Sequence, residues 1–176
     1  MKLSRKFYSR DTKTVAKELL GKILVHKTKQ GILKGKIVET EAYLGVNDPG
    51  SHAYKGITPR NKVMFGAPGK IYVYFVYGNH FLLNIVTEKE GIAGAVLIRA
   101  LEPVKNINET NGPGKLTKEM KITKEFYGKD ITKKPLYVLN NKSNFNIVKT
   151  TRIGLSKGQE KLLRFYIKDN KFVSIK

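Results

Sequence analysis

Residues 70–88 read KIYVYFVYGNHFLLNIVTE, two runs of β-branched, aromatic and aliphatic residues on either side of Gly78-Asn79. No other stretch limits the fold as sharply. Each run has the length of a strand and is rich in side chains that suit a pleated, half-buried surface. The short glycine-containing joint between them predicts an antiparallel hairpin.

The rest of the chain follows that lead. Strands are expected at roughly 22–28 and 32–43, joined at KQG, and from about Ala95 in AVLIRALEP. The tail offers LYVL, TTRIGL and LLRFYIKDNKFVSIK, the last as a hairpin. One helix is expected to begin with Asp11 as its N-cap and to stop at Gly21, burying Val15, Leu19 and Leu20. A second, short helix is expected within GPGKLTKEMKI. Strands outnumber helices and the connections are short, so the expected class is α+β: a mixed, mostly antiparallel curved sheet with flanking helices. With no repeat, low-complexity tract or linker, residues 1–176 are expected to form one domain. The one long polar loop, LGVNDPGSHAYKGITPRN, is of a length that in a compact domain is usually functional.

Composition removes whole classes of chemistry. Cysteine is absent, which excludes disulfides, thiol catalysis, iron–sulfur clusters and Cys-based zinc sites. The histidines, His26, His52 and His80, show no metal-binding spacing, so a metal cofactor is not expected. APGKI and GPGKLT lack the full phosphate-loop pattern, GIAGAV has the wrong spacing for a dinucleotide turn, and no nucleophile elbow occurs. No apolar run approaches the roughly 20 residues of a bilayer span. The N-terminus shows no secretory signal pattern, so a cytoplasmic protein is expected. Lysine and arginine number 34 against 14 aspartate and glutamate, a net charge of +20. Such an excess points to a polyanionic partner, and nucleic acid fits best. Arginine stands at only six positions, so each arginine is more conspicuous than any lysine.

Against that charge, IVETEAY (37–43) sets Glu39, Glu41 and Tyr43 on one strand face, together with Ile37 and Leu33. Partial burial among apolar neighbours raises a carboxylate pKa and suits it to general-base work. One of the two acids is therefore expected to be catalytic and the other structural. Tyr43, Tyr72, Tyr74 and Tyr77 fit either a core or a platform on which a base stacks. Tyr77, at the hairpin tip, has no core to fill and could wedge into DNA. His52 lies in the polar loop. Asn84, inside the apolar run FLLNIV, must either bond nearby backbone or read a ligand. Arg99, inside VLIRALEP, needs a carboxylate partner, and Glu39 or Glu41 is available.

Taken in order, GKIVETEAYLG, DPGSHAYKGITPRNKVMFGAPGKIYVYFVYGNHFLLNIV, VLIRALEP, NGPGKL and LRFYI closely resemble the alkyladenine (3-methyladenine) DNA glycosylase family, from about Leu3 to Ile175. The resemblance implies an enzyme of base-excision repair that acts on double-stranded DNA, and wrapping one duplex asks only for a monomer. Such an enzyme flips out damaged purines such as 3-methyladenine, 7-methylguanine and hypoxanthine. It hydrolyses the N-glycosidic bond with water and needs no cofactor, within one mixed α/β domain that carries a protruding hairpin. By that resemblance Glu41 is the general base for the water and Arg99 helps hold the water. Tyr43 and Tyr74 are the aromatic walls of the base pocket, and His52 stacks with them and bonds the nucleotide. Tyr77 is the intercalating wedge, and Asn84 is the pocket amide that opposes the exocyclic amine of normal guanine. Glu39 matches a position with no assigned catalytic role. The segment between Pro103 and Asn111 is shorter than in many relatives.

A shared pocket for Tyr74 and Asn84 also constrains the hairpin. A strict two-residue turn would put them on opposite faces, whereas a three-residue connection pairs Tyr77 with Phe81 and Tyr74 with Asn84. The second is expected. The alternatives to a hydrolytic glycosylase are a non-catalytic basic nucleic-acid-binding module and a glycosylase/lyase that works through a lysine Schiff base.

Overall fold

The computed structural model describes residues 1–76 and 78–176; the expected wedge, Tyr77, lies outside the described residues. Two helices open the chain. Arg5–Tyr8 (α1) is a single turn that no cap signal announces, and Ser4 makes no side-chain capping bond. Thr12–Leu19 (α2) begins where expected, with the Asp11 side chain accepting from the Thr14 backbone N–H at 2.9 Å. A cap of this kind stabilises a helix by about 1 kcal/mol. Val15, Ala16 and Leu19 are fully buried, and the chain leaves through Gly21 at φ +79°, a conformation that suits glycine.

The strands are Ile23–Thr28 (β1), Gly31–Tyr43 (β2), Ile71–Val76 (β3), His80–Val86 (β4), Ala95–Lys105 (β5), Leu136–Leu139 (β6), Ile147–Thr150 (β7) and Arg164–Ile167 (β8); Pro113–Glu119 (α3) lies between β5 and β6. They form one sheet in the order β3-β4-β5-β2-β1-β6, with β8 beside β2 and β7 beside β8. Every pairing among the described residues is antiparallel. The α+β expectation therefore holds, with a sheet more uniform than mixed.

The long strand β2 is the spine. One edge pairs with β5 from Lys34 to Tyr43. The other edge pairs with β1 at residues 31–36 and then with β8 at 39–41. A strand held on both edges and covered on both faces loses its alternating exposure, and residues 37–42 are all buried. Thr40 on one face donates its hydroxyl to the Ala16 carbonyl of α2 at 2.9 Å. Glu39 and Glu41 point the other way.

The β3–β4 hairpin forms with three residues between its strands, as expected, but in a different register. Val76 pairs with His80, Phe75 with Phe81, Tyr74 with Leu82 and Tyr72 with Asn84. Tyr74 is thus not opposite Asn84, and Phe81 takes Phe75 rather than Tyr77 as its partner. The Phe75 and Phe81 rings meet at 4.9 Å between centroids, a cross-strand contact that favours the observed register. The shift is by two residues, so face parity survives, and Tyr72, Tyr74, Leu82 and Asn84 share one face. Only residues 84–86 of β4 pair with β5, so the tip half of the hairpin protrudes beyond the sheet. It is braced by α3, where the Thr117 hydroxyl donates to the Phe81 carbonyl at 2.7 Å.

The tail departs from expectation twice. TTRIGL is not a strand beyond Thr150, because the Arg152 side chain turns inward to a buried aspartate. LLRFYIKDNKFVSIK is not a hairpin either: β8 pairs with β7 and β2. After a turn with Asp169 at φ +60°, residues 170–176 fold back over the sheet. Apolar side chains gather on both sides of the sheet. The larger cluster joins α2 and α3 to Ile71, Val73, Leu83 and Ile85. The smaller one puts Ala53 of the long loop, and Met64 of the short helical turn Lys62–Phe65 that follows it, under Tyr72 and Val86. That loop is therefore a packed layer, and it carries His52.

Candidate active site

Glu41 and Glu39 have no exposed surface, yet their partners differ. One oxygen of Glu41 accepts from the Tyr43 hydroxyl at 2.7 Å, and the other accepts from the Ile153 backbone N–H at 2.9 Å. Arg99 Nη1 stands 3.4 Å from the same Oε1, an ion pair rather than a close hydrogen bond. Burial pushes the Glu41 pKa up; the Arg99 charge, the Ile153 N–H and the Tyr43 hydroxyl pull against it, and Glu39 adds to the rise. The balance lies above the ordinary carboxylate range, in the direction a general base requires.

Glu39 is saturated instead. Its Oε1 accepts from Arg99 Nε at 3.2 Å, Arg164 Nη1 at 2.9 Å and the Ser174 hydroxyl at 2.9 Å. Its Oε2 accepts from the Ser174 backbone N–H at 2.7 Å. Arg99 is thus shared by both acids, so the two partners allowed by the sequence are both used. The β2–β5 ladder is irregular between Ile37 and Thr40, next to this shared arginine.

Beside Glu41 lies an aromatic slot lined by Tyr43, His52, Met64, Tyr72, Tyr74 and Asn84. The His52 and Tyr74 ring centroids are 4.5 Å apart and the planes are inclined at 65°. The slot has a volume of about 10 Å³, at the lower limit for one water molecule. It opens beside a cleft of about 580 Å³ that shares Tyr43, His52 and Tyr74 and is also lined by Arg99, His80 and Lys115. The slot is closed to a purine, while the cleft is not. The Asn84 side chain donates to the Tyr72 carbonyl at 3.3 Å and lines the slot, so the backbone partner expected of it is present.

Polar contacts set the walls of the slot. His52 Nδ1 lies 2.8 Å from the Tyr72 hydroxyl. Burial, then the charge of Arg60, lowers the His52 pKa and favours the neutral ring. Burial pushes the Tyr72 hydroxyl up to about 12 and raises Tyr43 and Tyr74 as well, so these phenols stay protonated donors. Arg60 lies over the outer Tyr74 ring, 5.5 Å from its centroid.

Behind the slot a second ion pair holds three segments together. Arg152 and Asp48 are fully buried and joined by two bonds of 2.5 and 2.6 Å. Arg152 also donates to the Ala42 carbonyl at 3.0 Å and sits 4.7 Å from the centroid of the Tyr43 ring. Asp48 accepts from the backbone of Leu44 and Gly50. Burial raises the Asp48 pKa, but the Arg152 bonds outweigh it and the net shift is down. The pair ties the end of β2, the loop leading to His52, and the segment that presents Ile153 to Glu41. Gly45 allows the turn out of β2: it sits at φ +75°, and a Cβ there would meet the Ala93 carbonyl at 2.4 Å.

The structure therefore brings together six of the seven residues singled out from the sequence: Glu41, Arg99, Tyr43, His52, Tyr74 and Asn84. The seventh, Tyr77, lies outside the described residues. Sequence reasoning assigned no role to Arg152, Arg164, Asp48 or Ser174, and it left Tyr72 between core and stacking platform. Two signals pointed their way: Tyr72 has the same parity as Tyr74, and arginine is scarce. Three of the six arginines, Arg99, Arg152 and Arg164, are buried here. Among the described residues no group of three or more His, Asp or Glu gathers in a metal-binding arrangement.

Comparison with known proteins points to one family. The family model described as methylpurine-DNA glycosylase matches residues 6–171. A protein of Legionella pneumophila (strain Corby) is 51% identical over 179 residues, covering 98% of each chain. One of Prosthecochloris aestuarii is 51% identical over 186 residues, covering 97% of this chain and 89% of its own. One of Clostridium acetobutylicum is 45% identical over 201 residues, covering 99% of this chain and 98% of its own. All three carry the name "Putative 3-methyladenine DNA glycosylase".

Proposed function

The chain belongs to the methylpurine-DNA glycosylase family, and we propose that it hydrolyses the N-glycosidic bond of alkylated or deaminated purines in double-stranded DNA. The substrates are 3-methyladenine, 7-methylguanine and hypoxanthine, and the product is an abasic site. The observation that carries this reading is the 2.7 Å bond from Tyr43 to Glu41. Through it one strand joins a wall of an aromatic slot to a buried carboxylate of raised pKa. A base in the slot then has its C1′ on the Glu41 side.

The chemistry asked of these residues is modest. A purine alkylated at N3 or N7 carries positive charge, so its bond to C1′ is weakened and the pair of electrons leaves with the base. Glu41 accepts a proton from water as the water oxygen bonds to C1′, and its charge favours the oxocarbenium-like sugar. Arg99, which lines the cleft, helps hold that water. Tyr43, Tyr74 and His52 stack on the flipped base, and Asn84 at the slot opposes the amine of normal guanine. Because the slot is closed to a purine without DNA, flipping must part the His52 and Tyr74 rings. Extruding a base costs a few kcal/mol, offset by phosphate contacts and by the hairpin-tip wedge that the resemblance assigns to Tyr77. The enzyme acts as a monomer.

Glu41→Gln tests the assignment. Excision measured in single turnover should fall by about 10²-fold or more, while affinity for abasic-site DNA is kept. Full activity in this variant would sink the role of Glu41. A panel of 3-methyladenine, 7-methylguanine, hypoxanthine and ethenoadenine duplexes would define the lesion range. The lyase alternative has a named candidate, because Lys115 lines the cleft; borohydride should leave no covalent adduct with lesion DNA if water is the nucleophile.

A further inference from the structure

Glu39 has no place in the reaction just described, yet it is among the most heavily bonded side chains of the site. It has no exposed surface and accepts four hydrogen bonds, from Arg99, Arg164 and, twice, Ser174. A buried carboxylate with four donors is a fixed point. Ser174 brings the chain end over it, and Arg164 Nη1 also donates to the Ile175 carbonyl at 2.7 Å.

The consequence lies in Arg99. Its Nε is held by Glu39 at 3.2 Å, while its Nη1 stands 3.4 Å from Glu41. An arginine free to choose would close that gap by about half an ångström and form a two-pronged pair with Glu41. Such a pair would occupy the lone pairs that a water must use, and would pull the Glu41 pKa down. We infer that Glu39 is a positioning residue: it holds the Arg99 guanidinium back from Glu41, so that the guanidinium does not take both oxygens of that carboxylate and a lone pair is left for the attacking water. The charges support the division of labour. Two carboxylates, Glu39 and Glu41, face two guanidiniums, Arg99 and Arg164, so Arg99 is not forced onto Glu41 for lack of another anion. The other charged or titratable groups around Glu41 are Tyr43 on its own strand, Tyr74 on β3, and Arg152 behind the Tyr43 ring. None of them restrains Arg99.

This inference rests on Glu41 being the base, and the test separates the two. Single-turnover excision is followed against pH for the wild type, Glu39→Gln, Glu39→Asp and Glu41→Gln, with active molecules counted by titration with abasic-site DNA. In Glu39→Gln the plateau rate should fall about tenfold or more, and the acid limb should move about one pH unit lower, because Glu41 now keeps its charge at lower pH. Glu39→Asp keeps the charge but draws the carboxylate back by one methylene, so its profile should move the same way by less. Loss of the Glu39 charge by itself lowers the midpoint in Glu39→Gln, so Glu39→Asp, which keeps the charge, decides: a merely structural role would lower its active fraction and leave the pH midpoint of its active molecules at the wild-type value. That result, with Glu41→Gln inactive, overturns the inference and spares the mechanism. An active Glu41→Gln overturns both.

Discussion

Tyr72 holds His52 through a 2.8 Å contact between its hydroxyl and the imidazole Nδ1, so the ring that caps the slot cannot turn freely. Removing that hydroxyl as Tyr72→Phe leaves the packing but frees the imidazole. A bond of about 1 kcal/mol corresponds to about a fivefold loss of kcat/KM on lesion DNA, with thermal stability little changed. A drop in stability with unchanged kinetics would count against this role. Glu41 makes a second prediction at the same scale. A base works when ionised, and a pKa raised by burial moves protonation to higher pH. The excision rate should therefore fall on acidification with a midpoint above 4.5, the ordinary value for this carboxyl. A pH profile of single-turnover rates checks it. The face that carries Glu39, Glu41 and Tyr43 was legible because a strand alternates faces by twos, and acids among apolar neighbours stand out. Which partners each acid would find was not: Ser174, bonded to Glu39, lies 135 positions away, and no local pattern reaches that far.

At the scale of elements, the Asp48–Arg152 pair decides where two irregular segments go. It draws Arg152 out of strand geometry just after Thr150, which is why TTRIGL reads as a strand and is not one. Breaking a fully buried pair by removing one partner typically costs about 3–5 kcal/mol, since the other charge is left unpaired. Asp48→Asn should therefore lower the urea midpoint strongly. The sign of the pH effect follows from the direction of the shift. Because the folded Asp48 is held below its ordinary 3.8, its contribution is present above that value and is lost as pH falls through the lower, folded one. The gap between the wild type and Asp48→Asn should narrow on acidification below about pH 4. Unequal denaturant curves that stay parallel down to pH 2 would refute this account. Helix α2 and strands β1 to β5 were readable from caps and periodicity. In the tail LYVL was readable too, but the end was not, because alternation in LLRFYIKDNKFVSIK is equally served by a hairpin or by a strand followed by a strap.

For the whole molecule, charge and arginine part company. The net charge of +20 is carried mainly by lysines, while three of the six arginines serve buried carboxylates. Lysine is a flexible point charge suited to phosphates at a wet surface, and arginine a planar fork suited to fixed pairs. Each phosphate neutralised on duplex DNA contributes about 0.9 to the slope of log affinity against log salt. Lys115, exposed and lining the cleft, is expected to make one such contact. Lys115→Gln should weaken binding to lesion and undamaged duplexes alike and make the slope shallower by about one. An unchanged slope would place the DNA path elsewhere.

By itself the sequence determined the hairpin, the cap of α2, the polyanionic partner and the strand that carries Glu41 and Tyr43. Each depends on residues within a few positions of one another, or on composition, which needs no geometry. Only the tertiary structure decided the hairpin register, the path of the tail and the separate partners of the two glutamates. Those turn on which distant donor reaches which oxygen. Glu39 and Glu41 are two residues apart and equally buried, but the sheet gives one of them two arginines and a serine, and the other a tyrosine hydroxyl and a backbone N–H.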